Sequence, residues 1–440
     1  MKKTVFAVTS LLLMGFAMNA QKVNYEEYDL DNGMHVILHQ DNGAPVVTTS
    51  VMYHIGAKDE DPTKTGFAHF FEHLLFEGTE NVERGEWFKI VTSNGGRNNA
   101  NTSQDRTYYY EVFPSNNLEL GLWLESERLL HPIINQIGVD TQKEVVQEER
   151  RLRVDNAPYG RFQEEIGKLL FTKHPYRWST IGSLDHLASA SLEDFRNFNK
   201  TYYVPNNAVL VVAGDFEMAS TKKMIQDYFG PIPRGKDIKR NTFIEDPISG
   251  NIRKKVYDPN IQIPAIFLGY RTPAQTDRDA YVLNMVSSVL SDGPSSRLYK
   301  KLVDDKKMAL QVFAFSNAQE DYGSYLIGGL PLGDVSLDDL IGEMDEEIVK
   351  MQTELISERD YQKLQNKFEN RFVNSNSSVE GIAGSLATYY MLYDDTSLIN
   401  NEIDIYRSIT REEIKAAAVK YLQKEQRIIL EYLPETAKEN

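Results

Sequence analysis

Two histidines four residues apart, His69 and His73, enclose a glutamate, Glu72, in the stretch "GFAHFFEHLLFEGT". On a helix, residues at i and i+4 project from one face, so both imidazoles can grip one ion. H-x-x-E-H is the inverse of the better-known H-E-x-x-H arrangement of two metal ligands and a base. Zinc takes neutral imidazole and carboxylate ligands and keeps one position open for water. Bound zinc lowers the pKa of that water to about 7, and a nearby carboxylate can take its proton. Hydroxide would then attack a peptide carbonyl polarised by the metal. The bland alternative is a pair of histidines at the margin of an otherwise apolar helix.

Two histidines do not complete such a site, because a catalytic zinc usually has three protein ligands. The chain has no cysteine, so the third must be His, Asp or Glu. The stretch "EVVQEERR" offers Glu144, Glu148 and Glu149, and the residues alone do not choose among them. All eight histidines lie at or before His186, which confines imidazole chemistry to the first half. His35 and His39 share the four-residue spacing but fall on an alternating strand pattern, and they read as structural.

Several elements must position these groups. "VNYEEYDLDNGMHVILHQDNG" reads as strand, turn and strand, and "VVTTSVMYHIG" as a further β-rich run. "GFAHFFEHLLF" has apolar residues at helical period. Residues 139–154 are strongly helix-forming and highly charged, and "NNAVLVVAGDF" is a short buried type of strand. Pro, Gly and charge without periodicity over 236–255 mark a linker. The halves on either side echo each other. Ser191 and Thr410 each precede a helix as an N-cap, with Asp194 and Glu413 placed to close a capping box, and a strand follows both helices. The expectation is an α+β protein of two domains with similar topology, each an antiparallel-rich sheet packed with helices. Residues 21–235 form the first domain and 256–440 a second that binds no metal.

Residues 1–20 carry Lys2 and Lys3, then an apolar run from Val5 to Met18, then "MNA" before Gln21. This is the three-part pattern of a secretory signal peptide, and it predicts export, to a bacterial periplasm. No later segment is apolar and long enough to span a membrane. The formal net charge is −16, and loss of the two lysines makes the remainder more negative still. That balance argues against nucleic acid and anionic membrane surfaces as partners. The absence of cysteine excludes a disulfide scaffold, a thiolate metal site and a thiol nucleophile.

The segments "GAKDEDPTKTGFAHFFEHLLFEGTEN", "NGGRNNANTSQDRTYYYEV", "EVVQEERR", "HPYRWSTIGSLDHL", "YYVPNNAVLVVAGDF" and "DGPSSRLYKKL" occur in an order that resembles the pitrilysin/insulinase-type zinc metallopeptidases. The similarity is to their short form, related to mitochondrial processing peptidase subunits and bacterial periplasmic homologues. It covers most of the chain after the leader. The resemblance implies one Zn2+ per chain held by His69, His73 and Glu149, with Glu148 as the fallback ligand and Glu72 as general base. The family often has another glutamate seven residues before the third ligand, where this chain has Gln142. The resemblance also implies half of a clamshell chamber for peptides or unfolded polypeptides. Its active-site edge strand would bind extended substrate through Asn99, Ala100, Asn101 and Thr102.

One part of the family pattern is missing. After the "SSRLY" helix, family members usually carry an Arg and, seven residues on, a Tyr that reaches the transition-state oxygen. Here those positions are Val303 and Leu310, neither of which can donate a hydrogen bond; Arg297 and Tyr299 belong to the preceding helix and read as structural. The expectation is therefore a catalytic subunit whose second, non-zinc homologous partner supplies the pair. A low-activity homodimer and a peptide-binding scaffold without turnover are the alternatives.

Overall fold

The computed structural model describes residues 22–438, so the expected leader lies outside the described residues. The first six strands are β1 (Glu26–Asp29), β2 (His35–Gln40), β3 (Val46–Tyr53), β4 (Arg97–Thr102), β5 (Thr107–Pro114) and β6 (Ala208–Gly214). They form one sheet in the order β1-β2-β6-β3-β5-β4. The remaining strands are β7 (Gly250–Asp258), β8 (Ala265–Thr272), β9 (Ala309–Asn317), β10 (Gly323–Pro331) and β11 (Gln426–Pro434). Their sheet runs β7-β11-β8-β10-β9.

With β1 set aside, the two orders coincide strand for strand. In each sheet the first pair is parallel and every other pair antiparallel. Both capping boxes are formed as the sequence suggests. Ser191 and Asp194 start the helix Leu192–Tyr202 ahead of β6, and Thr410 and Glu413 start the helix Arg411–Tyr421 ahead of β11. A hydroxyl at the N-cap satisfies a helical N–H that has no partner within the helix, which fixes where each helix begins.

The β6 run "AVLVVAG" is buried along its whole length, because both faces of its sheet are covered. On one face lie helices of the first half, with Trp87, Phe113, Leu122 and Leu124 in the core. The other face is covered by the helix Val379–Tyr393 from the second half, whose Ile382, Ala383 and Leu386 join Ile37, Met52, Val209 and Val211. The second sheet receives the reverse loan. The helix Phe162–Leu170 from the first half packs Ile166 and Leu170 with Phe267, Leu326 and Leu430.

The boundary differs from the sequence expectation at one end. Strand β7 begins at Gly250 and takes residues 250–255 of the expected linker into the second sheet. Its "GNIRKKVYD" shows no apolar alternation because β7 is an edge strand, paired only with β11 and exposed over its first half. The rest of the segment is tied to the first half. Arg240 pairs with Asp59 at 2.6 Å, and Glu245 accepts the backbone N–H groups of Thr172, Lys173 and His174 at 2.8, 2.6 and 2.6 Å. Among the described residues no helix is long and apolar enough to cross a membrane.

Candidate metal centre

The helix Phe67–Leu74 buries Phe67, Phe70, Phe71 and Leu74 in the core, which turns His69, Glu72 and His73 toward the groove beside β4. It is short, and side chains from outside the helix hold both ends. At its start Gly66 adopts φ 95°, a left-handed conformation open to glycine, and supplies no cap of its own. The cap comes from Glu60, whose carboxylate accepts the N–H groups of Gly66 and Ala68, both at 2.8 Å. At the other end the Arg128 guanidinium donates to the carbonyl of Leu75 at 3.2 Å. A cation at the C-terminus favours the helix dipole, and at the N-terminus the Glu60 carboxyl oxygens satisfy helical N–H groups that have no partner within the helix. Arg128 is itself fully buried, paired with Glu111 at 2.9 Å and Glu125 at 3.2 Å, and its guanidinium carbon lies 4.2 Å from the Trp87 ring centre. Gly182 backs the turn so closely that a Cβ there would lie 2.2 Å from the Gly66 nitrogen.

Glu149 sits in the last turn of the helix Gln136–Arg150, which Asn135 caps, and a wider π-type turn over Arg151–Asp155 follows at once. Its Oε2 lies 3.5 Å from His69 Nε2 and 3.1 Å from His73 Nε2. One ligand atom from each of these three residues falls within 4.8 Å of the others. Glu148 points the other way, half exposed and paired with Arg151. Glu144 is exposed and makes no ion pair among the described residues. Gln142, at the position of the family's extra glutamate, donates its amide to Glu77 at 2.5 Å. The structure thus brings together His69, His73 and Glu149 and leaves Glu144 and Glu148 outside.

The electrostatics suit a cation. Burial, then the neighbouring His73 imidazole, push the His69 pKa down to about 4, so the ring is neutral near pH 7 and its lone pair is available. The hydrogen bond with His73 first, and the nearby Arg153 charge, hold the Glu149 carboxyl below its usual range against burial. Burial pushes Glu72 up, against a hydrogen bond from the Thr102 hydroxyl at 2.6 Å. Two imidazoles and one carboxylate with converging donor atoms are a donor set that a catalytic zinc takes. Among the described residues the Nδ1 of His69 has no hydrogen-bond partner, so packing rather than a second hydrogen bond orients that ring.

Strand β4 is the last of its sheet, and among the described residues no strand pairs with its outer edge. Asn99 and Asn101 are exposed on it, Ala100 is buried, and Thr102 is engaged with Glu72. Two neighbours carry no sequence signal. Arg106, in the turn after β4, donates to the Asn101 carbonyl at 2.8 Å, and Arg153 pairs with Glu149 at 2.7 Å. Glu60 has at most a faint one, an acid a few residues ahead of a helix start. In the second half Val303 is half-buried and Leu310 lies exposed at the start of β9.

The model of the family described as insulinase (peptidase family M16) matches residues 35–182, and that of the peptidase M16 inactive domain matches residues 189–368. The chain belongs to the insulinase family. Zinc protease PqqE of Helicobacter pylori is 30% identical over 402 residues, which span 89% of this chain and 90% of that protein. The crystal structure of a protease from Helicobacter pylori, at 27% identity, superposes with a TM-score of 0.89 over 94% of this chain and 100% of that one. The periplasmic protease PqqL from Escherichia coli shares the fold, with a TM-score of 0.77 at 18% identity. That superposition takes in 96% of this chain and 49% of PqqL. Within the insulinase family this is a short form. The whole His69–Glu149 cluster falls inside the first match, and both Val303 and Leu310 fall inside the inactive-domain match.

Proposed function

We propose that this insulinase-family chain is an exported zinc metalloendopeptidase that cuts extended peptides or unfolded polypeptides within an enclosed chamber. The observation that carries this is the convergence of His69, His73 and Glu149, with Glu72 alongside on the same helix. Zinc, when bound by these three residues, supplies Lewis-acid polarisation of the scissile carbonyl. The protein's own groups do the rest. A peptide adds to the free edge of β4, where main-chain bonds hold it and Asn99 and Asn101 flank it. Glu72 takes a proton from the attacking water and returns it to the leaving amine. The Thr102 hydroxyl holds Oε2 of Glu72 and leaves Oε1 for that transfer. Burial, which raises the Glu72 pKa, makes it a stronger base than a solvated glutamate.

The chain contributes no hydrogen-bond donor at Val303 or Leu310, so a second, homologous chain completes the site. A second copy of this chain would bring the same two apolar residues, which favours a heterodimer over a homodimer. A scaffold that binds peptides without turnover is the competing reading. It has no use for an intact set of three ligands and a base. Zinc content and digestion of a peptide library, for wild type and Glu72→Gln, with and without chelator and with and without a candidate partner, test both points. Cleavage that needs metal, Glu72 and the partner is expected. Full activity from the lone chain would remove the partner from the scheme. Bound metal with no Glu72-dependent cleavage, even with the partner present, would end the peptidase reading.

A further inference from the structure

Among the described residues Glu402, on the helix Leu398–Ser408, has no cationic partner. Its one hydrogen bond comes from the Tyr389 hydroxyl, at 2.9 Å to Oε2. Tyr393 meets Tyr389 edge to face, with ring centres 5.7 Å apart. Burial raises the pKa of the Glu402 carboxyl, against the Tyr389 hydrogen bond, and burial also raises the Tyr389, Tyr393 and Tyr406 hydroxyls. Glu402 also lines two cavities. One, of about 620 Å³, is walled by Tyr108, Tyr110, Tyr389 and Tyr393 and reaches Asn101 and Arg106 at the end of β4. The other, of about 560 Å³, continues past Phe368 and Tyr406. The remaining carboxylates of these walls are neutralised, Glu380 by Arg97 and Asp292 by Lys367 and Arg371. Arg106 donates to the Asn101 carbonyl and lies over the Tyr108 ring, 5.9 Å from its centre, which leaves Tyr389 and Tyr393 as the rings beside Glu402.

A half-buried carboxylate with a hydrogen bond but no counter-charge is costly, and tyrosine faces attract cations, most strongly where water is excluded. The 620 Å³ cavity opens beside Asn101, one residue from the threonine that holds Glu72. Side chains of a peptide paired on β4 alternate between its two faces, so those on the Asn99 and Asn101 side turn toward this cavity. We propose that the cavity is a cation subsite: Glu402 and the tyrosine rings take the ammonium or guanidinium group of a lysine or arginine side chain on the bound peptide. The chain's net charge of −16 draws basic peptides in the same direction. This rests on the peptide-binding part of the function proposed above and adds the chemical class of the substrate.

The test separates binding from cleavage by using the mature chain with Glu72→Gln, loaded with zinc. It is titrated calorimetrically with a short blocked peptide containing one central lysine, with the same peptide containing norleucine, and with n-butylammonium. The lysine peptide should bind about tenfold more tightly than its norleucine twin. Adding Glu402→Gln should abolish that difference and leave the affinity for the norleucine peptide unchanged. Tyr393→Leu should reduce the difference by several-fold, and it serves if the first variant does not fold. Equal affinity for the two peptides, or no binding of either, overturns the subsite. So does n-butylammonium binding that depends on Glu402 while the two peptides bind equally, which would assign the site to a free amine. If lysine discrimination holds while wild-type chain shows no Glu72-dependent cleavage, the hydrolytic reading fails and the subsite stands.

Discussion

The choice of third ligand turns on neighbouring glutamates with opposite surroundings. Glu149 is turned inward to both imidazoles, while Glu148 is half exposed and spent on Arg151. Glu149→Gln should therefore lower zinc affinity at least tenfold, read as metal retained after dialysis against a weak chelator, and Glu148→Gln should leave it unchanged. Loss of zinc from the Glu148 variant alone would reverse the assignment. His69, Glu72 and His73 were legible because helical spacing fixes their common face. Glu149 needed the family pattern, since three glutamates of one helix are equivalent until its rotation about its own axis is known. Glu60 was barely legible, because its role is set by a fold-back of the chain. It makes its own prediction. Burial pushes this carboxyl up to about 8 from 4.5, with the backbone N–H groups of Ala68 and Gly66 opposing. The folded state then holds the proton more tightly than the unfolded state, so stability is lost as pH rises from about 4.5 through about 8. The stability difference between wild type and Glu60→Gln, from urea melts across that window, should shift against wild type by a few kcal/mol as pH rises. A pH-independent difference would mean that Glu60 stays ionised throughout.

At the scale of elements, the metal-site helix is eight residues long, too short to be stable alone, and no side chain of its own caps its start. Its sequence shows the apolar period but gives no reason for the helix to stop and start where it does. Those reasons lie elsewhere, in Glu60 at one end and in Arg128 at the other. The Arg128 cluster has no solvent exposure. Arg128→Met keeps much of the volume but strands Glu111 and Glu125 without a counter-charge, and it frees the carbonyl of Leu75. It should cost about 3–5 kcal/mol in denaturant melts, and the surviving folded fraction should bind zinc more weakly because its helix end is loose. A variant that melts within about 1 kcal/mol of wild type would show that the two glutamates are protonated and need no cation. The same distance between sequence and structure explains β7. Edge strands need no alternating pattern, so the charges at 253–255 resembled a linker while the backbone paired with β11.

Across the whole molecule, the duplicated strand order was legible only at its two capping boxes, because strand order is set by long-range pairing that local residues do not encode. The reciprocal loan of helices was not legible, since amphipathic period shows that a helix has an apolar face but not which sheet receives it. That loan makes the halves interdependent. Without the helix Val379–Tyr393, the first sheet would expose Ile37, Met52, Val209 and Val211 along one face, a contiguous apolar surface of the kind that soluble monomers avoid. Without the helix Phe162–Leu170, Phe267, Leu326 and Leu430 of the second sheet would be bare in the same way. Residues 22–438 should accordingly unfold in one cooperative transition, although they contain two sheets. A fragment of residues 22–235, which carries every proposed metal ligand, should be insoluble or molten and should not retain zinc. Co-expression with residues 236–438 should restore a soluble, zinc-binding complex, since each fragment then receives the helix it lacks. A soluble first half with a sharp thermal transition of its own would mean that the sheet can do without its borrowed helix. The metal site would then be a property of one domain rather than of the pair.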